Sequence, residues 1–129
     1  MHKNIELVRR GYQAFNSADI RTLTELFDEK AAWHTPGRSS LAGDHVGRDA
    51  AFAQFGRYLE GTGGTFKAEV RHIMADENGR VVAVHHNSGF RNGRSLDVDA
   101  CIVFQIRNGR LVDGREFVYD LPAWDDFWS

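Results

Sequence analysis

The stretch that decides the fold is Ser95-Leu96-Asp97-Val98-Asp99-Ala100-Cys101-Ile102-Val103-Phe104-Gln105-Ile106, with Arg91-Asn92-Gly93 before it and Arg107-Asn108-Gly109 after it. Leu96, Val98, Ala100, Ile102, Phe104 and Ile106 recur at every second position. A strand sends successive side chains to opposite faces, so this spacing predicts a long strand with one buried face. Asn-Gly between two such runs signals a two-residue hairpin, because both turn residues take a positive φ. The flanking segments, Arg80 to Phe90 and Leu111 to Tyr119, are therefore read as antiparallel neighbours. Further upstream, Phe66, Ala68 and Val70 alternate with Lys67, Glu69 and Arg71, and Asp76-Glu77-Asn78-Gly79 is a turn. The second half is thus a meander of four strands.

The first half reads as helical. Ile5, Val8, Tyr12 and Phe15 form one stripe, and Asn16-Ser17 ends it. Asp19 caps a second helix carrying Ile20, Leu23, Leu26 and Phe27. Ala31 to Thr35 is short and extended, closed by Pro36-Gly37, and Arg38 to Val46 reads as a loop. Gly47-Arg48-Asp49 opens a third helix with Phe52, Phe55 and Leu59 on one face, and Gly61 to Gly64 stops it. Pro122 to Ser129 is a tail with Trp124, Phe127 and Trp128, expected near a pocket entrance. The fold class is α+β: a curved antiparallel sheet wrapped by N-terminal helices into a cone around a pocket.

The chain has 129 residues, 42% hydrophobic and 12% aromatic, which suits one domain over 1–129. The formal charge is −2, and the basic residues form no stripe that would neutralise phosphates, so nucleic-acid binding is not expected. Cys101 is the single cysteine, so no internal disulfide forms and a reducing, cytoplasmic setting is expected. The sequence shows no signal peptide, and no apolar run approaches the roughly 20 residues a membrane helix needs. No Cys, His and carboxylate spacing makes a metal site, and no cofactor is called for.

Period two also sorts the polar residues by face. His85 and His86 are adjacent, so only one of them faces a pocket; His85 is placed inward with Ala83 and Asn87. Trp33 and Thr35 share the pocket face of the short strand, and His34 faces away. Asp99, Cys101, Val103 and Gln105 then point outward, joined by Val82 and Val84. An outward apolar set calls for a cover, and a twofold homodimer through the convex face supplies one.

The layout resembles the SnoaL-like branch of the nuclear transport factor 2-like (cystatin-like cone) superfamily. The resemblance is carried by Tyr12 to Asp19, Trp33 to Gly37, Leu41-Ala42-Gly43 leading to Gly47 to Ala50, Val103 to Arg110, and Arg115-Glu116-Phe117. It implies a conical α+β barrel, usually a homodimer, with an apolar pocket, and it implies no single activity. Laid along the ketosteroid isomerase pattern, the donor tyrosine falls on Gly11, the base on Thr35 and the second donor acid on Ile102, so that activity is rejected. Laid along the epoxide hydrolase relay, the positions fall on His85, Asn87 and Glu116, without the arginine and one acid. A polyketide cyclase needs one acid/base carboxylate, for which Glu116 or Asp120 serves.

The candidate catalytic set is Glu116, His85 and Asn87. The candidate ligand walls are Trp33, Thr35, Phe15, Tyr12, Phe52, Phe55, Ile102 and Phe104. Three readings stand. The chain is an acid/base enzyme of the lyase, cyclase or hydrolase kind acting on a small, mostly apolar organic molecule, or it only binds such a molecule, or it is an interaction module whose cone is filled by side chains. The ordinary alternative for His85 and Glu116 is the role of satisfied core polar groups.

Overall fold

The computed structural model describes residues 2–129. Its order is α1 (His2–Asn16), α2 (Ile20–Leu26), β1 (Phe27–Thr35), β2 (Gly43–Val46), α3 (Arg48–Gly61), β3 (Lys67–Ala75), β4 (Arg80–Arg91), β5 (Arg94–Arg107), β6 (Arg110–Val118) and α4 (Leu121–Trp128). The strands form one sheet in the order β2-β1-β6-β5-β4-β3. β3 to β6 make the expected antiparallel meander, and β1 joins β6 in parallel. The sheet is curved and unclosed, with β2 and β3 as its edges.

Both hairpins turn on Asn-Gly. Asn92 and Gly93 have φ of 51° and 76°, and Asn108 and Gly109 have 53° and 75°. A positive φ at both positions matches the right-handed twist of the flanking strands and fixes the register. On β5, Leu96, Val98, Ala100, Ile102, Phe104 and Ile106 are all buried, as the alternation predicts. The helices cover that inner face, and an aromatic core joins them to it. Phe27, Trp33 and Phe55 meet at ring separations of 4.9 to 6.4 Å.

Four local expectations are corrected. Phe27 does not extend the second helix: α2 ends at Leu26 and Phe27 opens β1, which runs back well before Ala31. The segment 38–46 is not all loop, since its last four residues pair with β1 as the edge strand β2. The aromatic tail is a helix, capped by the Asp120 carboxylate on the Ala123 N–H with Pro122 in its first turn. On α3 the deepest face is Ala51, Gln54, Phe55 and Tyr58, with Phe52 and Leu59 only partly buried at its margin. Asp19 does cap α2, accepting from the Thr22 N–H at 3.1 Å.

Gly114 on β6 sits beneath the Trp33 ring, where any Cβ would collide with the indole. Gly114→Ala is therefore expected to displace Trp33 and cost about 1–3 kcal/mol, the usual range for overpacking. A denaturant titration checks this, and an unchanged midpoint would show that the indole gives way freely.

Candidate functional site

Inside the cone lies a cavity of about 50 Å³. This is well below the few hundred Å³ of most ligand sites. One buried water needs ~10–15 Å³ on this measure, so the space holds a few waters or a molecule of a few heavy atoms. Aromatic side chains therefore fill most of the expected hollow. Its lining is apolar (Phe15, Phe27, Trp33, Phe55, Phe66 and Phe104 among others) apart from one polar end.

Three elements build that polar end. β4 carries His85 and Asn87 two residues apart, hence on one face. β6 carries Glu116, opposite Ile102 of β5, while His85 lies opposite Ala100. The short Ala100 side chain between them lets the two polar groups meet across β5. α1 lays Tyr12 over them. The Tyr12 hydroxyl is 2.7 Å from His85 Nδ1, and His85 Nε2 is 3.1 Å from Glu116 Oε2. Asn87 donates from Nδ2 to the same oxygen at 2.9 Å. His85 and Asn87 are each 1% exposed and Glu116 5%. Burial, and after it the negative charge of Glu116, pushes the Tyr12 hydroxyl well above its ordinary pKa. Asn87 Oδ1 is buried with no hydrogen-bond partner in the protein, and a buried orphan acceptor is costly unless a water or ligand satisfies it.

The other predicted wall residues divide. Phe15, Tyr12, Trp33, Phe55, Ile102 and Phe104 line the cavity together with His85, Asn87 and Glu116. Thr35 and Phe52 do not. Thr35 is tied up behind the wall, its hydroxyl 2.8 Å from the Tyr58 hydroxyl and accepting from Gln54 Nε2 at 3.0 Å. Phe52 packs edge-on against Phe27 from the outside, at 5.4 Å. Tyr58, Phe66 and Leu111 line the cavity and were missed by the sequence reading. Tyr58 falls at i+3 from Phe55, a spacing that could have exposed it. Burial and then the Glu116 charge raise its hydroxyl pKa too.

Outside the cone, His34 lies between Asp44 and Asp113, at 2.6 and 2.7 Å. His86 lies between Asp99, at 2.7 Å, and Asp97. Asp99 first and Asp97 second raise the pKa of His86. The folded chain then holds this proton more tightly than the unfolded chain. The stability it contributes is complete below the ordinary value of 6.5 and is lost as pH rises through the raised value. His86→Gln is expected to flatten the fall in melting temperature between about pH 6 and about pH 8, and identical slopes would clear His86 of any part in it.

Cys101 is half-buried on the outer face. Burial and the Glu116 charge raise its pKa, which opposes a nucleophilic role. No helix among the described residues is long and apolar enough to cross a membrane.

Comparison with known proteins agrees with this architecture. An uncharacterised protein of Mycobacterium tuberculosis is 30% identical over 126 residues, covering 98% of this chain and 96% of its own. The structure of Bal32a, from a soil-derived mobile gene cassette, superposes with a TM-score of 0.98 at 62% identity, covering 99% of this chain and 98% of its own. A Xanthomonas campestris protein of unknown function with a cystatin-like fold gives 0.91 at 27% identity, with 98% of both chains covered. Residues 8–114 match the family model of the SnoaL-like domain, and with the curved sheet, the covering helices and these relatives in view, the chain belongs to the SnoaL-like domain family.

Proposed function

We propose that the chain binds a small, mostly apolar organic molecule in the cone and performs acid/base chemistry on it without a cofactor, as an isomerase, cyclase or hydrolase of small substrates. One observation carries this reading. Glu116 is a buried carboxylate lining a mostly apolar cavity, held by His85 and Asn87, and among the described residues no lysine or arginine lines it. A carboxylate beside a space a ligand can reach is placed to take or give a proton. Gly11 and Ile102 bring no polar group to the lining, which speaks against the steroid isomerase pattern. Arginine is absent from the lining as well, which speaks against the epoxide hydrolase relay.

The size of the cavity favours a second reading, in which the cone is a filled scaffold that docks partners. For assembly the partner proposed is a second copy. On the outer face Met74 is 54% and Phe117 50% exposed, flanking the partly buried Val82, Val84, Cys101 and Val103. Burying such a strip against its twofold mate removes apolar surface from water. The half-buried free thiol of Cys101 suits a cytoplasmic setting.

Native mass spectrometry of the purified protein tests both parts. A dimer mass carrying a bound organic ligand of a few heavy atoms is the expected result. A ligand-free monomer would overturn both the pocket and the dimer.

A further inference from the structure

Resting on that reading of the cavity, we propose that Tyr12, His85 and Glu116 form a hydroxyl–imidazole–carboxylate relay in which Tyr12 is the group that meets the ligand, and that the ligand is a small weak acid giving up one proton from an O–H or an activated C–H.

The relay follows from counting donors and acceptors. Glu116 Oε2 receives both His85 Nε2 at 3.1 Å and Asn87 Nδ2 at 2.9 Å. An ionised carboxylate takes both bonds as acceptor, which places a hydrogen on His85 Nε2. A neutral imidazole then has a lone pair on Nδ1, and the Tyr12 hydroxyl at 2.7 Å donates into it. Tyr12 keeps its proton, because burial and the nearby carboxylate both oppose the phenolate. With that hydrogen committed to His85, the Tyr12 oxygen shows only lone pairs to the cavity it lines. The neighbouring Asn87 Oδ1 is a second acceptor, buried and unpartnered. A ligand that brings a donor meets both of these free acceptors.

The step balances without an oxidant or a metal. The ligand's X–H bond breaks and its hydrogen passes to the Tyr12 oxygen. The hydrogen already on Tyr12 passes to His85 Nδ1, and the ligand keeps the electron pair as an anion. His85 becomes an imidazolium whose Nε2–H faces the Glu116 carboxylate. This is the logic of a nucleophile–base–carboxylate triad, applied to proton transfer. Reversal at the same ligand atom is exchange, and return of the proton to a different atom is isomerisation. Tyr12 takes the proton of the ligand, while His85 and Glu116, which also line the cavity, act in the transfer through Tyr12. Phe104, edge-on to Tyr12 at 6.2 Å, helps fix the phenol ring.

Nitroethane is a suitable probe, being a carbon acid of few heavy atoms. Its α-hydrogen loss into deuterated water is followed by proton NMR with the full-length protein, alongside ¹⁵N signals of the His85 ring. The relay predicts exchange above the buffer rate, a fall of about 10²–10⁴-fold in Tyr12→Phe and in His85→Gln, and a wild-type His85 protonated on Nε2 with Nδ1 bare. Exchange that ignores Tyr12→Phe overturns the relay, and so does a His85 ring carrying its single hydrogen on Nδ1. Nitroethane that shifts cavity resonances yet is never deprotonated sinks the relay while sparing the binding reading. Nitroethane that shifts nothing sinks both. Should Tyr12→Phe fail to fold, the wild-type tautomer decides alone.

Discussion

Trp124→Ala is expected to destabilise the fold by about 3–5 kcal/mol, the usual loss for a large aromatic removed from a core. Trp124 is 0% exposed. It sits on α4 with its ring 6.0 Å from Tyr58, 6.4 Å from Phe66 and 5.7 Å from Trp128. Domains of this size have only about 5–15 kcal/mol to lose, so the variant would be marginal. Tyr58 and Phe66 are themselves cavity walls, which makes the C-terminal helix the backing of the site. Urea unfolding at fixed protein concentration measures the loss. A change below about 1 kcal/mol would mean that α4 is dispensable packing.

Glu116→Gln is expected to separate stability from function. The glutamine oxygen still accepts from His85 Nε2 and Asn87 Nδ2, so both buried donors keep a partner. The loss of a buried charge offsets the weaker bonds, and stability is expected to move by less than about 1.5 kcal/mol. Proton transfer loses its carboxylate and is expected to fall by about 10²–10⁴-fold. Binding of a neutral ligand changes far less. A variant with intact transfer would remove Glu116 from the chemistry. A variant that unfolds would show the carboxylate to be structural, the ordinary alternative for a buried, satisfied acid.

The sequence made the sheet legible because one face of it is wet. Where inner positions are apolar and outer ones polar, period two shows through, as on β5, and Asn-Gly sets the turns. The same parity put His85 and Asn87 on one face, the family resemblance pointed to Glu116, and all three are buried. Elements with no such contrast stayed hidden. β2 is an edge strand with none of its four residues buried, so no apolar pattern marks it. Phe27 fits a helical stripe as well as a strand start, and only pairing with Leu111 of β6 decides the matter. On α3 the buried Gln54 broke the apolar pattern. Its amide is satisfied by the Leu41 carbonyl at 2.7 Å and by Thr35, contacts that join distant segments. Tyr12 was read as a wall, because its bond to His85 spans 73 residues and has no local signature.

The size of the hollow was not legible at all. Spacing gives directions of side chains, and the volume left among them depends on how rings interlock. Phe15 packs edge-on to both Phe55 and Phe66 at 5.4 and 5.9 Å, which closes much of the cone.

Whether a small molecule enters the cone against Tyr12, His85, Asn87 and Glu116 is tested most directly by the indole N–H signals of the three tryptophans during a nitroethane titration. Trp33 lines the cavity, whereas Trp124 and Trp128 lie behind its wall. The expected result is a saturable shift of the Trp33 signal, assigned with Trp33→Phe, far larger than any shift of the other two. Three indole signals that stay fixed, or that drift together without saturation, would contradict a ligand-accessible site.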